Sequence, residues 1–102
     1  MNLSVDLQLA ELTCQAFKEK NSKFVVSSVV SSDMTPKVCM AFCLEAEVEY
    51  MALTNGNNCL CSNQYGMKLV EAPSRCDMPC AGDSLLYCGG KESAIFYRIG
   101  AV

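Results

Sequence analysis

The 102-residue chain has no histidine and no tryptophan. Without an imidazole, Ser-His-Asp and Cys-His catalysis, histidine-ligated zinc and histidine pH switches are excluded within this chain, and it reads as non-enzymatic. Without an indole, the chain lacks the largest aromatic face for stacking on a ligand. Basic charge is scarce as well. Eight Lys and Arg stand against eleven Asp and Glu, for a net charge of −3, so no basic stripe follows a phosphate backbone and nucleic acid is not an expected partner. No apolar run approaches the roughly 20 residues that cross a bilayer, so direct membrane insertion is not expected. Residues 1–12 lack the basic start and unbroken apolar stretch of a signal peptide, and the chain reads as a mature fragment or excised module. No C-x-x-C pair occurs, which argues against a thioredoxin-like redox role. No cofactor is expected.

What the chain has in excess is cysteine, eight in 102 positions. That proportion belongs to small domains stapled by disulfides, and the even count leaves no odd thiol. A chain this short has a thin core, and four bridges at about 2–4 kcal/mol each would supply much of the missing stability. Disulfides persist in oxidising surroundings, which implies a secreted protein or the ectodomain of a cell-surface protein.

Along the chain, "MNLSVDLQL" alternates strictly, with Met1, Leu3, Val5, Leu7 and Leu9 in one phase. This period of two predicts a half-buried strand, against the alternative of an appended tail. Asn2-Leu3-Ser4 is a weak glycosylation sequon. The polar "KEKNSK" (18–23) reads as a loop, "FVVSSVV" as a β-prone run, and "SSDMTP" as punctuation. "TPKVCMAFCLEAE" predicts a helix over about 36–46, with Thr35 as N-cap and Pro36 at the first helical position. Cys39, Phe42, Cys43 and Ala46 would form its inward stripe. Glu45, Glu47 and Glu49 read as a solvated acidic face rather than a cation site.

"VEYMALTNGNNCLC" predicts a hairpin about Asn55-Gly56, because both central positions of a type I′ turn need positive φ. A two-residue loop would set Thr54 against Asn57, Ala52 against Cys59 and Tyr50 against Cys61, with small Ala52 leaving room for a bridge. Cysteines two apart on a strand lie about 6.6 Å apart, and those four apart on a helix about 5.4 Å along its axis. A helix on this hairpin could therefore close Cys39 with Cys59 and Cys43 with Cys61, or the crossed pair. Zinc held by four thiolates is the competing reading. Cys59-Leu60-Cys61 is tighter than the usual two-to-four-residue ligand spacing, so no metal site is expected.

The ordered set "LTC", "SSDMTPKVCMAFC", "YMALTNGNNCLC", "SRCDMPCAGD" and "YCGGKESAIFYRI" resembles the WSC domain. This eight-cysteine extracellular module occurs in fungal cell-wall stress sensors, some secreted fungal carbohydrate-active enzymes, and animal surface proteins such as Kremen and polycystin. The resemblance covers residues 12–99. It leaves 1–11 as an N-terminal extension and 100–102 as a C-terminal tail, and "CQAFKEK" departs from it in lacking the glycine and aromatic often found beside the first cysteine. It implies a small disulfide-rich α+β fold, one short helix packed on a small antiparallel sheet. The implied pairing is Cys14–Cys76, Cys39–Cys59, Cys43–Cys61 and Cys80–Cys88.

The resemblance further implies non-catalytic binding of carbohydrate, a β-glucan-like or other cell-wall polysaccharide, within a larger protein. Sugar recognition needs aromatic faces and planar polar side chains. The candidates are Tyr65 with Asn63 and Gln64, Asn57 and Asn58 at the hairpin, Tyr87 with Asp83, and Tyr97. Tyr87 and Tyr97 also have a plain reading as packing residues beside the last cysteine and in the final strand. The alternative function is a protein-interaction or spacer module in a multidomain receptor, with Met51, Met67, Met78, Leu85 and Leu86 as adaptable apolar surface. An inhibitor or toxin-like scaffold has least support, since nothing resembles a basic or bait loop.

Overall fold

A computed structural model describes residues 7–16, 25–63 and 75–101. Within them lie β1 (Leu7–Ala16), β2 (Val25–Val30), α1 (Pro36–Glu45), β3 (Tyr50–Thr54), β4 (Asn58–Ser62), β5 (Pro79–Cys80), β6 (Asp83–Tyr87) and β7 (Ser93–Ala101). Five strands form one antiparallel sheet in the order β1-β7-β3-β4-β2, and β5 and β6 make a separate two-stranded ribbon. The expectations placed on residues 1–6 and on the 18–23 loop, Gln64, Tyr65, Met67 and Val102 fall outside the described residues.

The helix forms where its capping chemistry places it. Thr35 is extended, and its Oγ1 accepts a hydrogen bond from the Val38 N–H at 3.1 Å. Pro36 follows at the position where a missing N–H costs nothing. Cys39 and Cys43, one turn apart, are fully buried, while Phe42 and Ala46 pack partly buried against the same core. Glu45, Glu47 and Glu49 are exposed.

The helix lies over the face of the sheet that carries Met51, Leu53, Cys59, Cys61, Ile95, Tyr97 and Ile99. A smaller buried cluster of Ala52, Leu60, Ala94 and Phe96 occupies the opposite face. In register, Ala52 sits between Leu60 on β4 and Phe96 on β7, so a small side chain makes room for two large ones. Both faces of β3 and β4 are buried, including the polar Asn58 and Ser62 at the two ends of β4.

The hairpin register differs by one residue from the two-residue loop read from Asn55-Gly56. Thr54 pairs with Asn58, Leu53 with Cys59, Ala52 with Leu60 and Met51 with Cys61. Asn55 and Gly56 do take positive φ, 56° and 77°, but Asn57 joins the loop as a third residue. Tertiary hydrogen bonds claim that loop's backbone. Asn55 N–H donates to the Gly90 carbonyl (3.0 Å), Gly56 N–H to the Cys88 carbonyl (2.9 Å), and the Asn57 carbonyl accepts from Ser31 N–H (2.9 Å). Ala52 thus lies on the face away from the bridges, and the neighbours of Cys59 and Cys61 across the ladder are Leu53 and Met51.

The sulfurs join Cys14 to Cys76, Cys39 to Cys59, Cys43 to Cys61 and Cys80 to Cys88. The last bridge closes the β5–β6 ribbon, and Gly89 then turns the chain with φ 86° toward β7. A Cβ on Gly89 would run into the Leu53 carbonyl oxygen and lie 2.6 Å from the Thr54 Cα. Among the described residues no helix is long and apolar enough to cross a membrane.

Gly89→Ala therefore combines positive-φ strain with a clash against backbone that cannot move aside. It should lower the unfolding free energy by about 3 kcal/mol or more. Urea denaturation of the oxidised variant, with all bridges intact, measures this; a loss below about 1 kcal/mol would mean that the turn is not packed against β3 as described.

Candidate binding groove

The strand β1 does not continue its alternation unbroken. It pairs with β7 as Leu9↔Ile99, Glu11↔Tyr97 and Cys14↔Ile95, with a register shift between Glu11 and Thr13. Residues opposite each other in an antiparallel pair share a face. The bulge therefore brings Leu9, Glu11 and Cys14 onto the face of Ile99, Tyr97 and Ile95, although Glu11 and Cys14 are three apart. Without the extra residue, Cys14 would point to the opposite side.

This face opens at one end into a groove of about 540 Å³, walled by Glu11, the Cys14–Cys76 bridge, Pro36, Leu85, Leu86, Tyr87, Ile95 and Tyr97. Each element contributes for a local reason. The helix presents its first residue, Pro36, and the β5–β6 ribbon, held by Cys80–Cys88, lays Leu85, Leu86 and Tyr87 along one side. Asp83 starts β6 by accepting the Leu85 N–H on its Oδ1 at 2.9 Å.

The polar end is a Tyr–Glu pair. Tyr97 is only 7 % exposed, and its hydroxyl donates to the carboxylate of Glu11, its partner across the strands. Burial, then the nearby negative charge, then this hydrogen bond all favour the neutral phenol and push its pKa up to about 12. Among the described residues that line the groove, Glu11 is the one with an ionisable acidic side chain. Tyr87, by contrast, is 58 % exposed. Of the two tyrosines that also had a packing reading, Tyr97 packs and Tyr87 presents its ring to solvent. The groove thus offers an aromatic face, an aliphatic wall and a hydrogen-bonding carboxylate.

Of the candidate sugar-binding residues, Tyr87 and Tyr97 line this groove, Tyr87 exposed and Tyr97 buried. Asn63 is exposed at the end of β4, Asn57 is half-buried in the hairpin loop, Asn58 is buried opposite Thr54, and Asp83 is half-buried at the start of β6. Gln64, Tyr65 and Asn2 lie outside the described residues. Glu11 was not nominated. Its sequence signal is an acidic residue in phase with Leu7 and Leu9, where the alternation calls for an apolar one.

Three sulfurs, those of Cys39, Cys43 and Cys59, lie within 4.8 Å of one another, as close as metal ligands would be. Each belongs to a disulfide, which has no thiolate to offer a cation, so the cluster is two adjoining bridges.

The sequence of this fold and groove matches the family model described as the WSC domain over residues 12–90. It is 26 % identical over 95 residues to a protein named xylosyltransferase oxt from Drosophila melanogaster, covering 89 % of this chain and 11 % of that protein. A WSC domain-containing protein of Arthroderma benhamiae is 26 % identical over 86 residues, covering 83 % of this chain and 12 % of its own length. Kremen protein 1 of Mus musculus is 27 % identical over 73 residues, 70 % of this chain and 15 % of that protein. The chain thus spans between 11 % and 15 % of the length of these relatives.

The Tyr97 environment has a measurable pH signature. One tyrosine should titrate near 12 in the folded protein, and Glu11→Gln should lower its pKa toward, though not to, the ordinary 10.0, because burial remains. Since the folded value lies above the unfolded one, this contribution to stability is complete below pH about 10 and is lost as pH rises toward about 12. Ultraviolet difference titration after a rapid pH jump reads both; an unchanged profile in the variant would separate Glu11 from Tyr97.

Proposed function

This chain belongs to the WSC domain family, and from that premise we propose that it is a non-catalytic, extracellular recognition module of a larger protein, binding cell-wall or cell-surface polysaccharide in the Tyr87 groove. The observation that carries this reading is the 58 % exposed Tyr87 ring in a groove that also holds the Glu11 carboxylate. An aromatic face stacks on the C–H face of a sugar, and a carboxylate accepts hydrogen bonds from hydroxyl groups. The open, shallow form suits one segment of an extended polymer, bound weakly at a single module and more firmly when several modules or chains engage together. A relative whose name denotes sugar transfer carries a similar stretch, in keeping with a module that holds its host near carbohydrate. The four disulfides support an oxidising location outside the cell.

A protein partner is the second reading, and it too has a specific observation behind it. Leu85 is 88 % exposed and Leu86 42 %, directly before Tyr87. Consecutive large apolar side chains on a rigid ribbon suit a protein surface better than a sugar.

Retention on insoluble β-glucan separates the two. The intact protein should be retained, and Tyr87→Ala should weaken retention by about tenfold, corresponding to about 1.4 kcal/mol, while Val30→Ser, at an exposed position of β2 outside the groove, changes it little. Unchanged retention in Tyr87→Ala would remove the stacking role. No retention of the intact protein, together with capture of a protein partner that Leu85→Ser abolishes, would establish the second reading.

A further inference from the structure

The four disulfides are not equally protected. Cys39, Cys43, Cys59, Cys61, Cys80 and Cys88 are all buried, none more than 3 % exposed. Cys14 and Cys76 are each only half-buried, and both line the open groove. The bridge therefore faces the open side of the groove, whereas the other three are covered by packed side chains and strands. Accessible disulfides are the labile ones in exchange chemistry.

The position of the bridge matches that exposure. Cys14 is the only cysteine in β1, so this is the sole covalent tie between β1 and the rest of the molecule beyond the chain itself. Its two ends are nevertheless held independently. β1 is in register with β7 at nine positions from Leu7↔Ala101 to Ala16↔Ser93. On the other side, Met78 N–H donates to the Gly89 carbonyl and Cys88 N–H to the Met78 carbonyl, both at 2.9 Å, and the Ser93 hydroxyl donates to the Arg75 carbonyl. With the bridge open, these hydrogen bonds alone would hold the two ends together, so they would break more often, while the three buried disulfides would remain.

We propose that Cys14–Cys76 is a site of reversible thiol–disulfide modification, acted on by a dithiol reductant, and that its opening loosens the groove. In the reaction a reductant thiolate attacks one sulfur of the bridge, the Cys14–Cys76 S–S bond breaks, and the leaving thiolate takes a proton. The second reductant thiol then resolves the mixed disulfide and frees the other cysteine. Two electrons and two protons pass to the protein, and the reductant leaves as its own disulfide. Opening frees one wall of the groove, the stretch around Cys76, from the strand that carries Glu11. The bridge re-forms by the reverse exchange, in which the reductant's own disulfide takes back the two electrons and two protons, and the flanking hydrogen bonds favour it by returning the two backbones toward the 6.1 Å Cα separation of the closed bridge. The effect on ligand rests on the groove being the binding site; the order of opening does not.

Graded dithiothreitol applied to the oxidised chain, followed by alkylation and peptide mapping, tests the site. Cys14 and Cys76 should be alkylated first, in a species that keeps the other three bridges. Hydrogen exchange should then rise by about tenfold or more at Cys14 and over 75–78 while β3 and β4 stay protected. The Cys14→Ser/Cys76→Ser double variant should show the same exchange pattern and at least about fivefold weaker β-glucan retention than the oxidised protein. First opening of any other pair, simultaneous appearance of all eight thiols, or unchanged exchange around the groove would overturn the proposal. Failure of the oxidised protein to bind β-glucan counts against the polysaccharide reading alone, because alkylation order and exchange are read without ligand.

Discussion

The structure depends on two disulfides that fasten a ten-residue helix to a single strand. Cys39 and Cys43 stand one turn apart on α1, Cys59 and Cys61 two residues apart on β4, and the bridges between them lie so close that the Cys43 and Cys59 sulfurs are 3.6 Å apart. The rise of a helical turn and the rise of two strand residues are similar, about 5.4 and 6.6 Å, so both bridges close only in one alignment of helix and strand. They fix position and direction together. Every other feature, from the burial of Met51 and Leu53 to the entry of Pro36 into the groove, follows from where that helix is held.

Around this lock the molecule uses backbone where larger domains use side chains. The β3–β4 loop gives its N–H groups to Cys88 and Gly90 and its Asn57 carbonyl to Ser31, and the Thr54 hydroxyl donates to the Ser93 carbonyl at 2.8 Å. Gly89 lies against Leu53 and Thr54 with no room for a side chain. The stretch from Cys88 to Ser93 is thereby clasped to the hairpin, and the β5–β6 ribbon that precedes it, closed by Cys80–Cys88, carries Leu85, Leu86 and Tyr87 exposed.

Much of this was legible in the sequence because local chemistry and global fold agree there. Thr35-Pro36 marked the helix start, the Cys39/Phe42/Cys43/Ala46 stripe its inward face, and Asn55-Gly56 the hairpin. Which cysteine meets which was implied by family resemblance, since spacing alone left the crossed alternative open. The register differs by one from the two-residue loop because an Asn-Gly pair specifies positive φ but not how many residues leave the ladder; the tertiary bonds with Ser31, Cys88 and Gly90 decide that. Glu11 escaped notice for a similar reason. Its place beside Tyr97, and that of Cys14 on the same face, depend on a bulge that no turn residue announces. The groove is assembled from β1, α1, the β5–β6 ribbon and β7, segments far apart in the chain, so its membership could not be read from runs of neighbouring polar residues.

The most direct test of the central lock is disulfide mapping of the air-oxidised chain, by electron-transfer fragmentation of the backbone between Cys59 and Cys61. The account predicts Cys39 linked to Cys59 and Cys43 to Cys61. Crossed linkages, or free thiols at these four positions, would contradict it.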